Sequence, residues 1–198
     1  MNLLAPGKVA LLLFTFAYVI AGAVFLLKAG NTEFLTYLIA LVPLIAVAFY
    51  LQAKFELPLW MLWLVSILFA LHLAGGSIYV NGDVLYNYIL ISIPNWTGLT
   101  IWKFDQLVHP YGAAAFALCA HYLLATRSRF ARITVVLLAF LIANGFGALN
   151  EVIEFGMKIL TPHTDVGGYY NTGLDLVFNM FGALMGSLAG TFIARPKS

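Results

Sequence analysis

Six apolar runs of about twenty residues constrain the fold of this chain more than any other feature. A transmembrane α-helix needs about 20 predominantly apolar residues. The runs cover residues 8–28, 33–53, 57–79, 104–126, 132–155 and 173–194. Only 9% of the residues are charged, against about 25% in soluble domains. The runs lack the alternating ten-residue strands of a membrane barrel. The sequence therefore predicts an all-α polytopic membrane protein, a bundle of six transmembrane helices in a single domain over residues 1–198.

The basic residues are unevenly distributed over the connections between these runs. Cytoplasmic loops of membrane proteins carry an excess of lysine and arginine. Seven basic residues share one side of a six-span bundle: Lys8, Lys54, Arg127, Arg129, Arg132, Arg195 and Lys197. Lys28 and Lys103 lie on the other side. This distribution predicts that both termini are cytoplasmic and that loops 80–103 and 156–172 face outward.

Charge and cysteine content exclude other classes of protein. A net charge of +2 without a basic run does not indicate a nucleic-acid partner. The expected partners are membrane lipids, and the oligomeric state stays open. The single cysteine, Cys119, has no partner for a disulfide.

Ionisable side chains inside the apolar runs are the candidates for a functional site, because a charge at the bilayer centre costs at least about 2.5 kcal/mol. Three runs each carry two polar residues at helical spacing: Asp105 with His109, Glu151 with Glu154, and Asp175 with Asn179. Residues three or four apart lie on one face of a helix. In the predicted topology all three pairs lie at the outer ends of their helices, with His72 of the third run near that level. We therefore expect a polar cluster at the outer face.

A divalent metal ion would explain such a cluster, since neighbouring carboxylates repel one another unless a cation sits between them. Histidine with several carboxylates suits Zn, Mn or Fe better than Cu(I), which prefers sulfur. The predicted metal ligands are His72, Asp105, His109, Glu151, Glu154 and Asp175. The candidate catalytic residues are Glu151 and Glu154, through a carboxylate acting as general base, and Asn179, which would orient a ligand or a water.

Simpler interpretations apply to some of these residues. Asp105 and Asp175 lie near predicted helix N-termini, where a carboxylate is favourable as a cap or a dipole partner. That explanation does not apply to Glu151 and Glu154, which lie near a predicted helix C-terminus, where negative charge is unfavourable. His72 taken alone is typical of a hydrogen-bonded core histidine. A cluster of carboxylates that share protons without a metal is a further alternative.

The pattern favours a metal-dependent membrane enzyme that hydrolyses a lipid or lipid-linked substrate at the outer face. Oxidation at a di-iron centre ranks lower, because the Glu-x-x-His spacing of those proteins is absent. A transporter or binding protein for an ion, metal or small solute is a second class. The predicted cytoplasmic halves hold almost no polar path apart from His121. A cluster that only holds the bundle together is the third class.

The last run also contains a series of small residues. Gly182, Gly186 and Gly190 follow one another at intervals of four. Such spacing lets membrane helices approach closely, and it predicts a packing face.

Three segments carry a resemblance to a known family: Phe104-Asp-Gln-Leu-Val-His109, Asn150-Glu-Val-Ile-Glu-Phe155, and Asn171-Thr-Gly-Leu-Asp-Leu-Val-Phe-Asn179 with Gly182. They resemble motifs of the VanZ-like superfamily and, more closely, of the YjdF-type bacterial inner-membrane family. His72 with Gly75 and Gly76 resembles a further stretch of the YjdF type. The resemblance covers roughly 57–190 and implies a multi-pass protein of the bacterial inner membrane.

The chain departs from that family pattern at two places. Gln106 stands where a basic residue usually follows the first aspartate, and Asn171-Thr172-Gly173 replaces an aromatic lead into the last span. VanZ-like proteins are associated with glycopeptide antibiotic resistance, an association that names no reaction. The resemblance therefore supports the site more than it names a reaction.

Overall fold

A computed structural model describes residues 6–30, 57–92, 102–160 and 168–194, together with residues 38, 50, 52, 54 and 55. The predicted second span, 33–53, lies almost wholly outside the described residues, as do His163 and Asp165 of the predicted loop 156–172. Within the described part, five helices are long and apolar enough to cross a membrane. The prediction of a helical membrane protein is therefore confirmed at this level.

The five helices extend over 19 to 29 residues, or about 28–44 Å at 1.5 Å per residue. They are α1 (Pro6–Ala29), α2 (Leu59–Ser77), α3 (Asp105–Arg127), α4 (Arg132–Leu160) and α5 (Tyr169–Ile193). Two boundaries differ from the predicted spans by a turn or more. Helix α5 begins four residues before 173 and so includes Asn171, and α4 continues five residues past 155.

The longer α4 corrects the predicted position of the two glutamates. Glu151 and Glu154 do not lie in its last turn, because the helix continues to Leu160. Its last turn instead holds Lys158, a cation that is favourable at a helix C-terminus.

The contacts divide the chain into two compact units, residues 1–86 and 87–198. In the first unit, α1 packs against α2. Leu26 and Leu73 are buried at this contact, with Tyr18 and Tyr86 packed against them. Gly22 allows the close approach, because a Cβ there would lie 2.6 Å from Leu73 Cγ. The hydroxyls of Thr15 and Ser66 form a hydrogen bond of 2.8 Å across the same pair of helices.

A short antiparallel hairpin follows α2. Strand β1 (Tyr79–Val80) pairs with β2 (Asp83–Val84), and a 3₁₀ turn over Leu85–Asn87 comes next. Asn81 and Gly82 have φ values of 55° and 88°, the positive values that a tight two-residue hairpin turn requires. This hairpin is not among the predicted elements, since its residues fall at the end of the predicted third span and in the predicted loop 80–103, although Asn81-Gly82 is the strongest short-range signal of such a turn.

In the second unit, α3, α4 and α5 pack pairwise, and the contact between α3 and α5 is the most extensive. Small side chains fill the centre of this three-helix group: Ala113, Ala117, Ala143 and Ala183, with Phe116 and Phe140 packed against them. Alanines leave room for close helix approach, which is how helices associate in a membrane without a hydrophobic driving force.

The glycine series of α5 makes the contact with α3. A Cβ on Gly182 would lie 2.6 Å from Pro110 Cα and closer still to the Pro110 carbonyl oxygen. A Cβ on Gly186 would lie 2.8 Å from Ala114 Cα, and one on Gly190 would lie 2.7 Å from His121 Cβ. Real Cβ atoms do not approach so closely, so only glycine fits. The prediction that these glycines form a packing face is confirmed.

Candidate metal centre

Three helices bring the predicted polar pairs together. Helix α3 contributes Asp105 and His109 from its first two turns, α4 contributes Glu151 and Glu154, and α5 contributes Asp175. The ligand atoms form two groups, each within 4.8 Å: Asp105, His109 and Asp175, and then His109, Glu151 and Glu154. His109 belongs to both groups, so its imidazole lies between an aspartate pair and a glutamate pair.

The two ring nitrogens of His109 face different carboxylates. Nε2 lies 3.3 Å from Asp105 Oδ1 and 3.9 Å from Asp175 Oδ1. Nδ1 lies 3.7 Å from Glu151 Oε1. The 3.3 Å separation between His109 and Asp105 follows from their i, i+4 spacing on α3.

Neutral amides serve as hydrogen-bond donors to the aspartate pair. The Oε1 of buried Gln106 accepts a 2.9 Å hydrogen bond from the Lys103 backbone N–H, which turns its amide nitrogen toward Asp175. Gln106 Nε2 then donates to Asp175 Oδ1 at 3.1 Å. Asn171 Nδ2 donates to Asp175 Oδ2 at 2.6 Å and to Asp105 Oδ2 at 3.1 Å. The Asn171 amide group therefore links α5 to the first turn of α3.

The two glutamates differ in their hydrogen bonding. Asn150 Nδ2 donates a 2.7 Å hydrogen bond to Glu154 Oε1, and Glu154 is partly exposed. Glu151 is only 7% exposed, and among the described residues neither of its carboxylate oxygens has a hydrogen-bond donor. A buried carboxylate without a donor or a cation carries a large desolvation cost.

Asn179 completes the centre next to the glutamates. Its Oδ1 lies 3.3 Å from His109 Nδ1, and its buried amide nitrogen has no acceptor among the residues that the structure describes. Gly147 of α4 makes room for this side chain, because a Cβ there would lie 2.7 Å from Asn179 Nδ2. A larger residue at position 147 would therefore push Asn179 away from His109.

His72, the sixth predicted metal ligand, belongs to the first unit. Its Nδ1 forms a 2.5 Å hydrogen bond with the Tyr86 hydroxyl, and the two rings meet edge to face. Neither group of ligand atoms found among the described residues includes His72. Its role as a ligand stays a prediction.

Three amide residues of the centre were not among the predicted site residues: Gln106, Asn150 and Asn171. In the sequence, Gln106 and Asn171 are distinguished only as departures from a family pattern. Asn150 lies four residues before Glu154 and Asn171 four residues before Asp175, so the helical spacing of each amide with an acid was the available signal.

His121 lies at the other end of α3, twelve residues after His109, or about 18 Å along the helix. It is fully buried, and its Nε2 lies 3.3 Å from the Ala194 carbonyl oxygen. We expect His121→Ala to lower the free energy of unfolding by about 2 kcal/mol, through a cavity and a lost hydrogen bond. Mass spectrometry should find its metal content equal to that of the wild type. Metal loss from a folded His121→Ala protein would contradict this assignment.

The described helices and their polar cluster define a class, that of helical membrane proteins with a carboxylate–histidine centre buried among three helices. A model of the family described as "Predicted membrane protein (DUF2238)" matches residues 9–196, and the chain belongs to that family. The YjdF-type resemblance is consistent with this membership, whereas a relationship to the VanZ-like superfamily stays a prediction. No curated protein and no solved structure matches the chain significantly.

Proposed function

We propose that the cluster binds a divalent cation and that the protein is a membrane enzyme of the hydrolase type. The observation that carries the proposal is the buried carboxylate of Glu151, which has no hydrogen-bond donor in the described part of the chain and lies beside His109 and Glu154. Imidazole nitrogen and carboxylate oxygen are ligands that suit divalent transition metals, and a cation beside Glu151 would compensate its charge.

The chemistry of the ligands supports Zn, Mn or Fe as the cation. The proposed ligand atoms are imidazole nitrogen and carboxylate oxygen, and Cys119 is not among the grouped residues. Imidazole suits Zn and Fe, and carboxylate suits Mn. A divalent cation at such a centre supplies Lewis acidity to a water or to an ester or phosphoryl oxygen.

Glu154 is the residue that we assign to proton transfer. It is partly exposed, whereas Glu151 is buried, so it is the more accessible of the two glutamates. The hydrogen bond from Asn150 fixes its Oε1, which keeps a second lone pair for the cation, and Oε2 would accept the proton. A positioned carboxylate can act as general base toward a water. Asn179, beside His109, would orient the ligand or water.

The direction of the helices supports an outer-face site and a substrate from the lipid. The centre is formed at the start of α3 and α5, whereas α3 ends at Arg127 and α4 begins at Arg132. Arginines favour the cytoplasmic side, although Lys103 and Lys158 lie toward the site. We therefore keep the topology of six spans with cytoplasmic termini in a bacterial inner membrane. A lipid or lipid-linked substrate fits a centre that lies within membrane-spanning helices.

Transport of an ion or small solute is the competing function, and the packing around the centre does not favour it. A carrier needs a polar path to the other face. The core of the three-helix group consists of alanines and phenylalanines, and His121 beyond it is bonded to the backbone at Ala194. This arrangement supports a pocket that opens to one side.

Metal analysis of the detergent-purified protein tests the proposal. We expect about one equivalent of Zn, Mn or Fe in the wild type by mass spectrometry, and its loss in His109→Ala and Glu154→Gln, since both remove a proposed ligand. His121→Ala serves as the matched control. A folded wild type that stays free of metal after incubation with each of the three ions would overturn the proposal.

A further inference from the structure

We infer that His109 holds the cation through Nδ1, between Glu151 and Glu154, while Asp105 and Asp175 orient the ring through Nε2–H. The inference rests on the proposed metal function and refines it, because it assigns the four carboxylates to two different tasks. Glu151 and Glu154 are ligands. Asp105 and Asp175 are positioning residues that act through the imidazole.

The position of the proton on the His109 imidazole determines which ring nitrogen can bind a cation. A neutral imidazole has one N–H and one lone pair, and a metal takes the lone pair. The N–H must then face the other side. His109 has carboxylates on both sides, with Nε2 toward Asp105 and Asp175 and Nδ1 toward Glu151. One cation therefore belongs to one of the two sides, and the other side accepts the N–H.

The aspartates on the Nε2 side of His109 already accept several hydrogen bonds. Both aspartates accept hydrogen bonds from side-chain amides, Asp175 from Gln106 and Asn171, and Asp105 from Asn171. An Nε2–H on His109, with Nε2 3.3 Å from Asp105 Oδ1, would add a further donor to the aspartate pair. The aspartate side is thus supplied with donors, as expected of carboxylates that orient a metal-bound histidine.

On the glutamate side of His109, hydrogen-bond acceptors lie close together around Nδ1. Around Nδ1 lie Glu151 Oε1 at 3.7 Å and Asn179 Oδ1 at 3.3 Å. Without a metal, an Nδ1–H donates to Asn179 Oδ1, which can only accept, and a cation bound at Nδ1 would take the place of that proton. Glu151 has no hydrogen-bond donor within the described ranges. In the same ranges, Glu154 accepts a side-chain hydrogen bond at one oxygen, from Asn150. A cation beside Nδ1 would compensate the charge of Glu151, which a cation on the aspartate side would leave buried and unpaired.

Nitrogen NMR of the full-length protein distinguishes the two ring nitrogens directly. The protein is labelled with ¹⁵N-histidine, loaded with Zn²⁺ and compared with its metal-free form. The His109 signals are identified by their absence from His109→Ala. We expect the Nδ1 resonance of His109 to move on addition of Zn²⁺ and its Nε2 resonance to stay that of a protonated nitrogen.

Two isosteric variants provide a second readout. Asp105→Asn removes a positioning carboxylate, and we expect it to keep one equivalent of Zn²⁺ with affinity weaker by about 10- to 100-fold. Glu151→Gln removes a ligand, and we expect it to lose stoichiometric binding. Circular dichroism and the elution volume in detergent show whether each variant is folded, and the NMR result on the wild type does not depend on either.

The possible results are distinct. Zinc on Nε2, with binding lost in Asp105→Asn but kept in Glu151→Gln, would overturn the inference and place the cation between the aspartates. Zinc on both nitrogens would overturn it as well, since the imidazole would then bridge two cations. A wild type that binds no Zn²⁺, Mn²⁺ or Fe²⁺ would overturn the proposed function itself.

Discussion

Replacing Gly182 with alanine should lower the free energy of unfolding by about 1–3 kcal/mol, the usual cost of an overpacked contact. The added methyl group would meet the backbone of Pro110, its Cα at 2.6 Å. A backbone cannot rotate away as a side chain can, so α5 must move away from α3. Alanine is the better helix former by about 1 kcal/mol, so a net loss of stability would isolate the contact.

This loss of stability should be accompanied by weaker metal binding. Asn179 lies one helical turn before Gly182 on α5, and its Oδ1 is 3.3 Å from His109 Nδ1. A displacement of α5 separates these atoms. Denaturant titration in detergent or bicelles measures the stability, and a Zn²⁺ titration measures the binding.

Gly145→Ala is the matched control, because a Cβ on Gly145 of α4 would meet nothing within 4 Å. We expect it to be neutral or more stable by up to about 1 kcal/mol, from helix propensity alone. Equal effects of the two substitutions would contradict the close contact between α3 and α5.

Glu151→Gln should have opposite effects on the metal-free and the metal-loaded protein. Without metal, the buried carboxylate of Glu151 has no donor among the described residues, and its desolvation destabilises the fold. The neutral amide costs less to bury, so we expect the variant to be more stable by at least about 1 kcal/mol. This gain should appear in denaturant titrations carried out with a chelator.

Added metal should reverse the order. A ligand at 100 times its dissociation constant stabilises the folded state by about 2.7 kcal/mol. We expect the wild type to gain this stability from Zn²⁺ and Glu151→Gln to gain none. Titrations of both proteins with and without Zn²⁺ form one complete comparison.

Glu154→Gln is the matched control for the metal-free gain, because Asn150 already donates to Glu154 Oε1 and the residue is partly exposed. We expect no increase in its stability without metal. A metal-free wild type more stable than Glu151→Gln would show that the Glu151 carboxylate is compensated within the protein, which would remove the main support for a cation.

The sequence predicted the helices of the second unit and their polar pairs well, for a physical reason. Acids and histidines are so unfavourable in apolar runs that Asp105, His109, Glu151 and Asp175 stood out at once. Their spacing of three or four residues placed each pair on one helical face. The structure brings these pairs together, as the predicted topology required.

The hydrogen-bond donors of the site were harder to predict. Amides such as Gln106, Asn150 and Asn171 are uncharged and occur in many loops and caps, so composition alone does not mark them. Asn171 also lay outside the predicted last span, because Tyr169, Tyr170 and Asn171 are less apolar than the residues that follow. Only the position of α5 against α3 reveals that Asn171 reaches both aspartates.

The division of His109 between two sides could not be read from spacing. Spacing places Asp105 beside His109 on α3, but it does not say which ring nitrogen faces the aspartates and which faces Glu151. That choice depends on how the three helices are rotated about their axes, and the close contacts at Gly182 and Gly147 are part of the packing that holds them.

The backbone contact between α3 and α5 has a consequence for how the centre could open. Asp105 and His109 are carried by α3, and Asp175 and Asn179 by α5. These two helices touch at Gly182, where no side chain is present to yield. Glu151 and Glu154 lie on α4, whose contacts with its neighbours are less extensive. We therefore expect any opening of the centre to move α4, with Glu151 and Glu154, relative to α3 and α5, which hold Asp105, Asp175 and His109 together.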